Sequence, residues 1–149
     1  MSNIKYSLAS STWDERELAS IQRVIESGNY SMGNEVSKFE QEFAKFTGSK
    51  YCVMVNSGSS ANLIMTAALF YRKENKLQPG DEVIVPAVSW PTTFYPLAQY
   101  GLKLKFVDID KNTLNYDLNA LKAAVSDKTR LIMVVNLLGN PNDFAQINQ

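Results

Sequence analysis

Histidine is absent from all 149 residues of the chain. That excludes a Ser-His-Asp triad within the chain, a Cys-His pair and any histidine metal ligand. Acid–base work must then come from Asp, Glu, Lys or Tyr, from a cofactor, or from residues outside this segment. Cysteine is almost as scarce, with Cys52 the only one. One cysteine forms neither an internal disulfide nor a multi-cysteine zinc site, so no metal is expected, and a reducing compartment, the cytoplasm, is the expected location. Charge of either sign is not in excess, with 15 basic against 15 acidic residues. Nothing in that balance argues for nucleic acid or a membrane surface as a partner. No apolar run reaches the roughly 18 residues of a membrane span. Residues Met1 to Tyr6 carry no apolar run of signal-peptide length.

What is present suits a globular domain. Hydrophobic residues make up 45% of the chain, enough for one ordinary domain with a core. The pattern alternates helix and strand. Thr12 and Glu15 read as a capping box. Leu18, Ile21, Val24 and Ile25 follow on one helical face, and Gly28 offers a stop. A second helix is predicted from about Glu35 to Gly48, with Val36, Phe39, Phe43 and Phe46 on one stripe that reads as core. Tyr51 to Val55 is a short apolar run with β propensity. An alanine-rich helix is predicted from Ala61 to Lys73. A turn at Pro79-Gly80-Asp81 leads into a buried strand at Val83-Ile84-Val85.

Pro91 suits the first turn of the next helix, which closes near Gly101. Leu102, Leu104 and Phe106 alternate with Lys103 and Lys105, the pattern of a half-exposed or edge strand. Asp117 is a candidate cap for a helix carrying Leu118, Leu121 and Val125. Leu131 to Val135 reads as another strand, Asn136 to Asn142 as a loop, and a further helix begins near Asp143. This alternation predicts an α/β fold, a mostly parallel sheet with helices on both faces. The last residues, Asn148-Gln149, fall within what reads as the start of a helix, so truncation of a longer protein is the expectation.

In open α/β sheets ligands bind beyond the carboxyl ends of the strands. Three loops occupy such positions. Ser57-Gly58-Ser59-Ser60 joins a strand to a helix, where free N–H groups and the helix dipole favour an anion. Gly58 leaves room for close approach, and Ser59 and Ser60 add hydroxyl donors. The loop is neither a Walker A sequence nor a GxGxxG fingerprint, and an ordinary serine-capped helix start is the alternative. Ser89-Trp90-Pro91-Thr92-Thr93 places an indole at the mouth of the sheet, either as a platform for an aromatic ligand or packed on neighbouring helices. In Asn136 to Asn142, the side chains of Asn136 and Asn140 could hydrogen-bond a polar ligand, or the segment is a plain turn. Together, a phosphate seat and an aromatic platform on neighbouring strand ends fit a flat phosphorylated cofactor.

Four segments carry a resemblance to a known family: Tyr30-Ser31-Met32-Gly33 followed by Val36, Phe39 and Phe43; Val55-Asn56-Ser57-Gly58-Ser59-Ser60-Ala61-Asn62; Gly80-Asp81-Glu82-Val83-Ile84-Val85-Pro86-Ala87; and Phe106-Val107-Asp108-Ile109-Asp110. They resemble the DegT/StrS family of sugar aminotransferases and dehydratases, pyridoxal 5'-phosphate (PLP) enzymes of the aspartate-aminotransferase fold (fold type I). The likeness covers nearly the whole chain. It implies the N-terminal part of the large domain of that fold, with residues 1–34 an N-terminal helix and leading segment and residues 35–149 an incomplete PLP-binding large domain.

Leu8-Ala9-Ser10-Ser11-Thr12-Trp13, Pro86-Ala87-Val88-Ser89-Trp90 and Asn136-Leu137-Leu138-Gly139-Asn140-Pro141-Asn142 look most like the dehydratase branch. Aminotransferases of the family usually carry His-x-Tyr-Gly where this chain has Asn136-Leu137-Leu138-Gly139. The resemblance therefore implies removal of the 3-hydroxyl from a nucleotide-linked 4-keto-6-deoxysugar, in deoxysugar and O-antigen biosynthesis, with PLP or its pyridoxamine form (PMP) as cofactor. A nucleotide-sugar aminotransferase is the alternative, and a truncated non-catalytic fragment is the third reading.

By resemblance, Ser57, Gly58 and Ser59 hold the cofactor phosphate and Trp90 stacks on its ring. Ser10 and Ser11 lie in a segment that approaches substrate. The aspartate facing the pyridine nitrogen, and the lysine or histidine on the reacting face, are expected downstream of Gln149, so no catalytic residue is assigned within this chain. The family's active site sits at a dimer interface, which implies a homodimer.

Overall fold

The computed structural model describes residues 10–149. Two compact units make up the chain, one ending at Met54 and the other running Val55–Gln149. The first unit contains the second helix as well as the first.

In the first unit, α1 spans Glu15–Ser27 and α2 spans Asn34–Thr47. The capping box is real but sits two residues later than Thr12. Asp14 is the N-cap, its carboxylate accepting the Arg16 N–H at 2.8 Å while the Glu17 carboxylate accepts the Asp14 N–H at 2.8 Å. A carboxylate is a stronger acceptor than a hydroxyl and also meets the positive end of the helix dipole, which is why the acidic pair displaces Thr12 and Glu15. Gly28 and Gly48 end the two helices in the left-handed conformation, as expected.

The phenylalanine stripe of α2 is not core in this chain. Phe39 and Phe43 stack with ring centroids 5.5 Å apart yet stay about half exposed, and Phe46 is 87% exposed. A stripe becomes core only when a facing layer covers it, and a pair of helices does not supply one. Tyr51 to Val55 forms no strand either. None of the described strands pairs with it, and Tyr51 and Val53 stand largely in solvent. Within the first unit, the Met54 N–H donates to the Glu40 carboxylate at 2.8 Å.

The second unit is built on three parallel strands, β1 (Glu82–Pro86), β2 (Lys103–Val107) and β3 (Thr129–Ile132), in the order β2-β1-β3. Helices α3 (Gly58–Phe70), α4 (Pro91–Gln99), α5 (Leu118–Ala124) and α6 (Phe144–Ile147) accompany it. The chain leaves β1 toward one edge through α4, then crosses to the other edge through α5. Parallel crossovers follow a right-handed rule, so two that run to opposite edges put their helices on opposite faces.

The cores show that split. Val83 and Val85 pack with Leu77, Leu97 and Leu102 on the α3–α4 side, while Ile84 packs with Val107, Tyr116 and Leu121 on the α5 side. The expected parallel sheet with helices on both faces is therefore present. Strand β2 lies at an edge, as its lysines foretold. Lys105 reaches back to donate to the Ala124 carbonyl at 2.6 Å. Asp117 caps α5 as expected, accepting the N–H groups of Asn119 and Ala120.

The third strand begins and ends earlier than Leu131 to Val135. Beyond Ile132 the Met133 N–H still donates to Ile84 O at 2.9 Å, but side chains take the carbonyls of Met133 and Val135. The Tyr116 hydroxyl donates to Met133 O at 2.7 Å, and Asn142 Nδ2 donates to Val135 O at 2.8 Å. Burial raises the pKa of the Tyr116 phenol far above its ordinary value, so it remains a donor at all physiological pH.

Removing either support should show in stability. Ile84→Ala, which empties a fully buried site at the sheet centre, is expected to cost about 2–5 kcal/mol in urea unfolding. Tyr116→Phe, which orphans the Met133 carbonyl, is expected to cost about 1–3 kcal/mol.

Candidate functional site

Ser57 stops the chain from running straight into α3. Its backbone is extended, and its Oγ accepts the Ser60 N–H at 3.2 Å while lying 3.2 Å from Ser60 Oγ. The first helical bond runs from the Ala61 N–H to Ser57 O at 3.0 Å. With the cap at Ser57, the helix begins at Gly58, three residues before the predicted start at Ala61. The N–H groups of Gly58 and Ser59 then point out of the first turn with no intrahelical acceptor. A Cβ built on Gly58 would meet nothing within 4 Å, and the residue is not left-handed. The glycine is thus not demanded by the fold; its missing side chain leaves open space over two free donors at the positive end of a 13-residue helix.

Trp90 caps α4 from the next loop, directly after β1, with Pro91 at the first helical position as expected. The backbone around it is fixed. The Ala87 N–H donates to Val107 O at 2.8 Å, the Thr93 N–H to Trp90 O at 2.9 Å, and the Ser89 and Thr93 hydroxyls pair at 2.9 Å. Thr93 is buried, but the indole is 73% exposed and stands clear of the core.

The two helix starts lie side by side. Helix α3 packs on α4, and Asn62 Nδ2 donates to the Thr92 carbonyl at 3.2 Å. The anion-competent turn and the indole thus belong to neighbouring first turns of the same layer. Sequence reasoning does not single out Asn62 as a residue of the site. Its signal is a lone amide one turn into a helix otherwise made of small and apolar residues.

The asparagines of the third loop serve the protein itself. Asn142, buried at 6% exposure, donates to Val135 O and to Asn136 Oδ1, while Asn136 Oδ1 also accepts the Asn142 N–H. Asn140 Nδ2 donates to Thr113 O at 2.7 Å. The segment folds as a short 3-10 turn, Leu137–Gly139, presenting Leu138 with a left-handed backbone. Ser10 and Ser11 are exposed, and Ser11 Oγ accepts the Trp13 N–H at 3.4 Å. Leu8 and Ala9 of the same segment lie outside the described residues. Among the described residues, no group of acidic or cysteine side chains could hold a metal ion, and no helix is long and apolar enough to cross a membrane.

Fold and site together define a known class. Residues 11–149 match the DegT/DnrJ/EryC1/StrS aminotransferase family, and the chain belongs to it. The chain is 61% identical over 146 residues to the GDP-4-keto-6-deoxy-D-mannose 3-dehydratase of Yersinia pseudotuberculosis, covering 98% of this chain and 37% of that protein. It superposes with a TM-score of 0.92 on the E. coli GDP-4-keto-6-deoxy-D-mannose-3-dehydratase with bound hydrated PLP, at 62% identity over 96% of this chain and 37% of that one. The UDP-2-acetamido-2-deoxy-3-oxo-D-glucuronate aminotransferase of Pseudomonas aeruginosa is 40% identical over 130 residues, 87% of this chain and 34% of that protein. The fold is that of the PLP-dependent aminotransferases. The chain spans little more than a third of the length of these relatives.

The open space at Gly58 gives a test of the turn. Gly58→Ala should leave stability unchanged or raise it by about 0.4–1 kcal/mol in denaturant unfolding, since the alanine meets no neighbour and restricts the unfolded chain. The same substitution should weaken inorganic phosphate binding, followed by 31P NMR, because its methyl group occupies the approach to the free amides.

Proposed function

We propose that the protein carrying this chain removes the 3-hydroxyl of a nucleotide-linked 4-keto-6-deoxysugar, in deoxysugar and O-antigen biosynthesis, with PLP or PMP as cofactor. The observation that carries the reading is the 61% identity, across 98% of the chain, to a 3-dehydratase of such a sugar. Identity to the sugar aminotransferase is 40%. That lower figure, with Asn136-Leu137-Leu138-Gly139 at the position of the family's His-x-Tyr-Gly segment, ranks transamination second.

In this reading the Gly58 and Ser59 amides and the hydroxyls of Ser57 and Ser59 hold the cofactor phosphate, and the exposed face of Trp90 carries the ring. The residues suit such a ligand on three counts: free donors at a helix start, no side chain over them, and an uncovered indole on the adjoining helix start. Bound there, the cofactor supplies an electron sink for breaking a bond next to the keto carbon. The contribution of this chain is binding and orientation. Its amides neutralise phosphate charge, and the indole fixes the tilt of the ring and keeps water off one side. Ser10 and Ser11 are assigned, with the leading segment, to contacts with the sugar substrate. A cytoplasmic homodimer is the proposed working form. The groups that move protons at the reacting carbon are assigned to the part of the relatives' length that this chain does not span.

Adding PLP to the purified protein is expected to shift the cofactor's absorption band. Trp90→Ala should weaken binding about two- to tenfold, in line with the 0.5–1.5 kcal/mol of an aromatic stack beyond its buried area, and Trp90→Phe should recover most of it. Mass spectrometry of the sugar product after incubation with PMP separates the two chemistries: loss of oxygen at C3, or an amino group in place of the keto oxygen. Absence of binding to either cofactor form would leave the non-catalytic reading standing.

A further inference from the structure

Helix α4 contains a proline in its interior, Pro96, and it is buried. Proline has no N–H, so the helical donor that should serve the carbonyl four residues earlier does not exist. That carbonyl belongs to Thr92, in the first turn, two residues after Trp90. The donor comes from outside the helix: Asn62 Nδ2 reaches Thr92 O at 3.2 Å from α3, 30 residues earlier in the sequence. Asn62 is itself held. Its carbonyl accepts the Thr66 hydroxyl at 2.8 Å, and Thr66 is 2% exposed in the interface beneath it. An unsatisfied carbonyl in this half-buried place would be costly, so the cross-helix bond is favoured over solvation or drift of either helix.

We infer that Asn62, with Pro96, is a positioning device that fixes the spacing between the Gly58 turn and the Trp90 ring. This rests on the cofactor reading above. A flat phosphorylated ligand engages both half-sites at once, so its affinity depends on their separation in a way that the affinity of either half alone does not. Asn62 touches neither half; it sets the distance between them.

The experiment compares three probes, PMP, pyridoxamine and inorganic phosphate, on wild type, Asn62→Ala and the double variant Asn62→Ala/Pro96→Ala. PMP is chosen because its amine cannot condense with lysines. In Asn62→Ala, PMP affinity is expected to fall about tenfold or more while pyridoxamine and phosphate affinities stay within about twofold, and the induced circular dichroism of bound PMP changes as the ring reorients. The double variant returns a helical N–H to the Thr92 carbonyl. It should therefore recover thermal stability, and fold even where the single variant does not, while PMP affinity stays low.

Unchanged PMP affinity in both variants would overturn the inference. So would PMP affinity returning together with stability in the double variant, which would mean that satisfying the carbonyl was the whole role. A loss of phosphate affinity equal to the loss of PMP affinity would also overturn it, by placing the effect in the seat. A wild-type protein that binds no PMP at all defeats the cofactor reading and this inference with it, an outcome distinct from any difference among the variants.

Discussion

Strand β1 is the constraint on which the second unit turns. It is hydrogen-bonded on both edges, to β2 and to β3, and Val83, Ile84 and Val85 are shut off from solvent on both faces. A strand in that position has no freedom to shift register, because a one-residue slip would exchange the two cores. The residues proposed to hold the cofactor hang from its carboxyl end or from the helices that cover it. Trp90 follows it after a three-residue link, and α3, which carries the Gly58 turn, packs on α4 above it. The rigidity of β1 is thus passed to the two helix starts, and the Asn62 bond then fixes one against the other.

Much of this was legible in the sequence, for physical reasons that can be named. Val83-Ile84-Val85 between a Pro-Gly-Asp turn and a proline has few other readings, since a short β-branched run bounded by breakers makes a poor helix and a good buried strand. The lysines of β2 announced an edge, and Asp117 announced a cap. Local chemistry decides such features, so local sequence reports them. Thr12 failed as a cap because a better acceptor, Asp14, stood two residues away and kept the same spacing to an acidic partner. The far end of β3 differs from its apolar run because Tyr116 and Asn142, distant in sequence, take the carbonyls of Met133 and Val135.

The site was legible in part. The helix-start serine and its glycine follow from capping rules, and the indole from its place after a strand. Asn62 was not visible as a site residue because its meaning depends on a missing N–H at Pro96, on another helix. No window of sequence contains both. Read alone, Pro96 looks like a mild defect in α4 and Asn62 like an indifferent polar residue in α3. Only their juxtaposition turns two weak local choices into one specific bond.

The exposed apolar residues stand in different surroundings. Tyr51 and Val53 are exposed on a segment that pairs with no described strand, and Phe46 is exposed on a helix stripe that no layer of its own unit covers. Among the described residues, no layer of their own unit covers these side chains, and the chain spans about 37% of the length of its 3-dehydratase relatives. Trp90 is different. Its loop is closed by the Ala87–Val107 bond, the Thr93–Trp90 bond and the Ser89–Thr93 hydroxyl pair, and Thr93 beside it is buried. The indole thus stands in solvent on a loop whose backbone is tied at several points. Leu138 shares the pattern. It is 88% exposed, with a left-handed backbone kept in place by the Asn136, Asn140 and Asn142 bonds on either side. Phe46 stands on a helix whose backbone is just as fully bonded, so a firm backbone does not by itself mark a binding surface; what sets the indole apart from the aromatics of α2 is its place on a helix start tied to the neighbouring α3 by the Asn62–Thr92 bond.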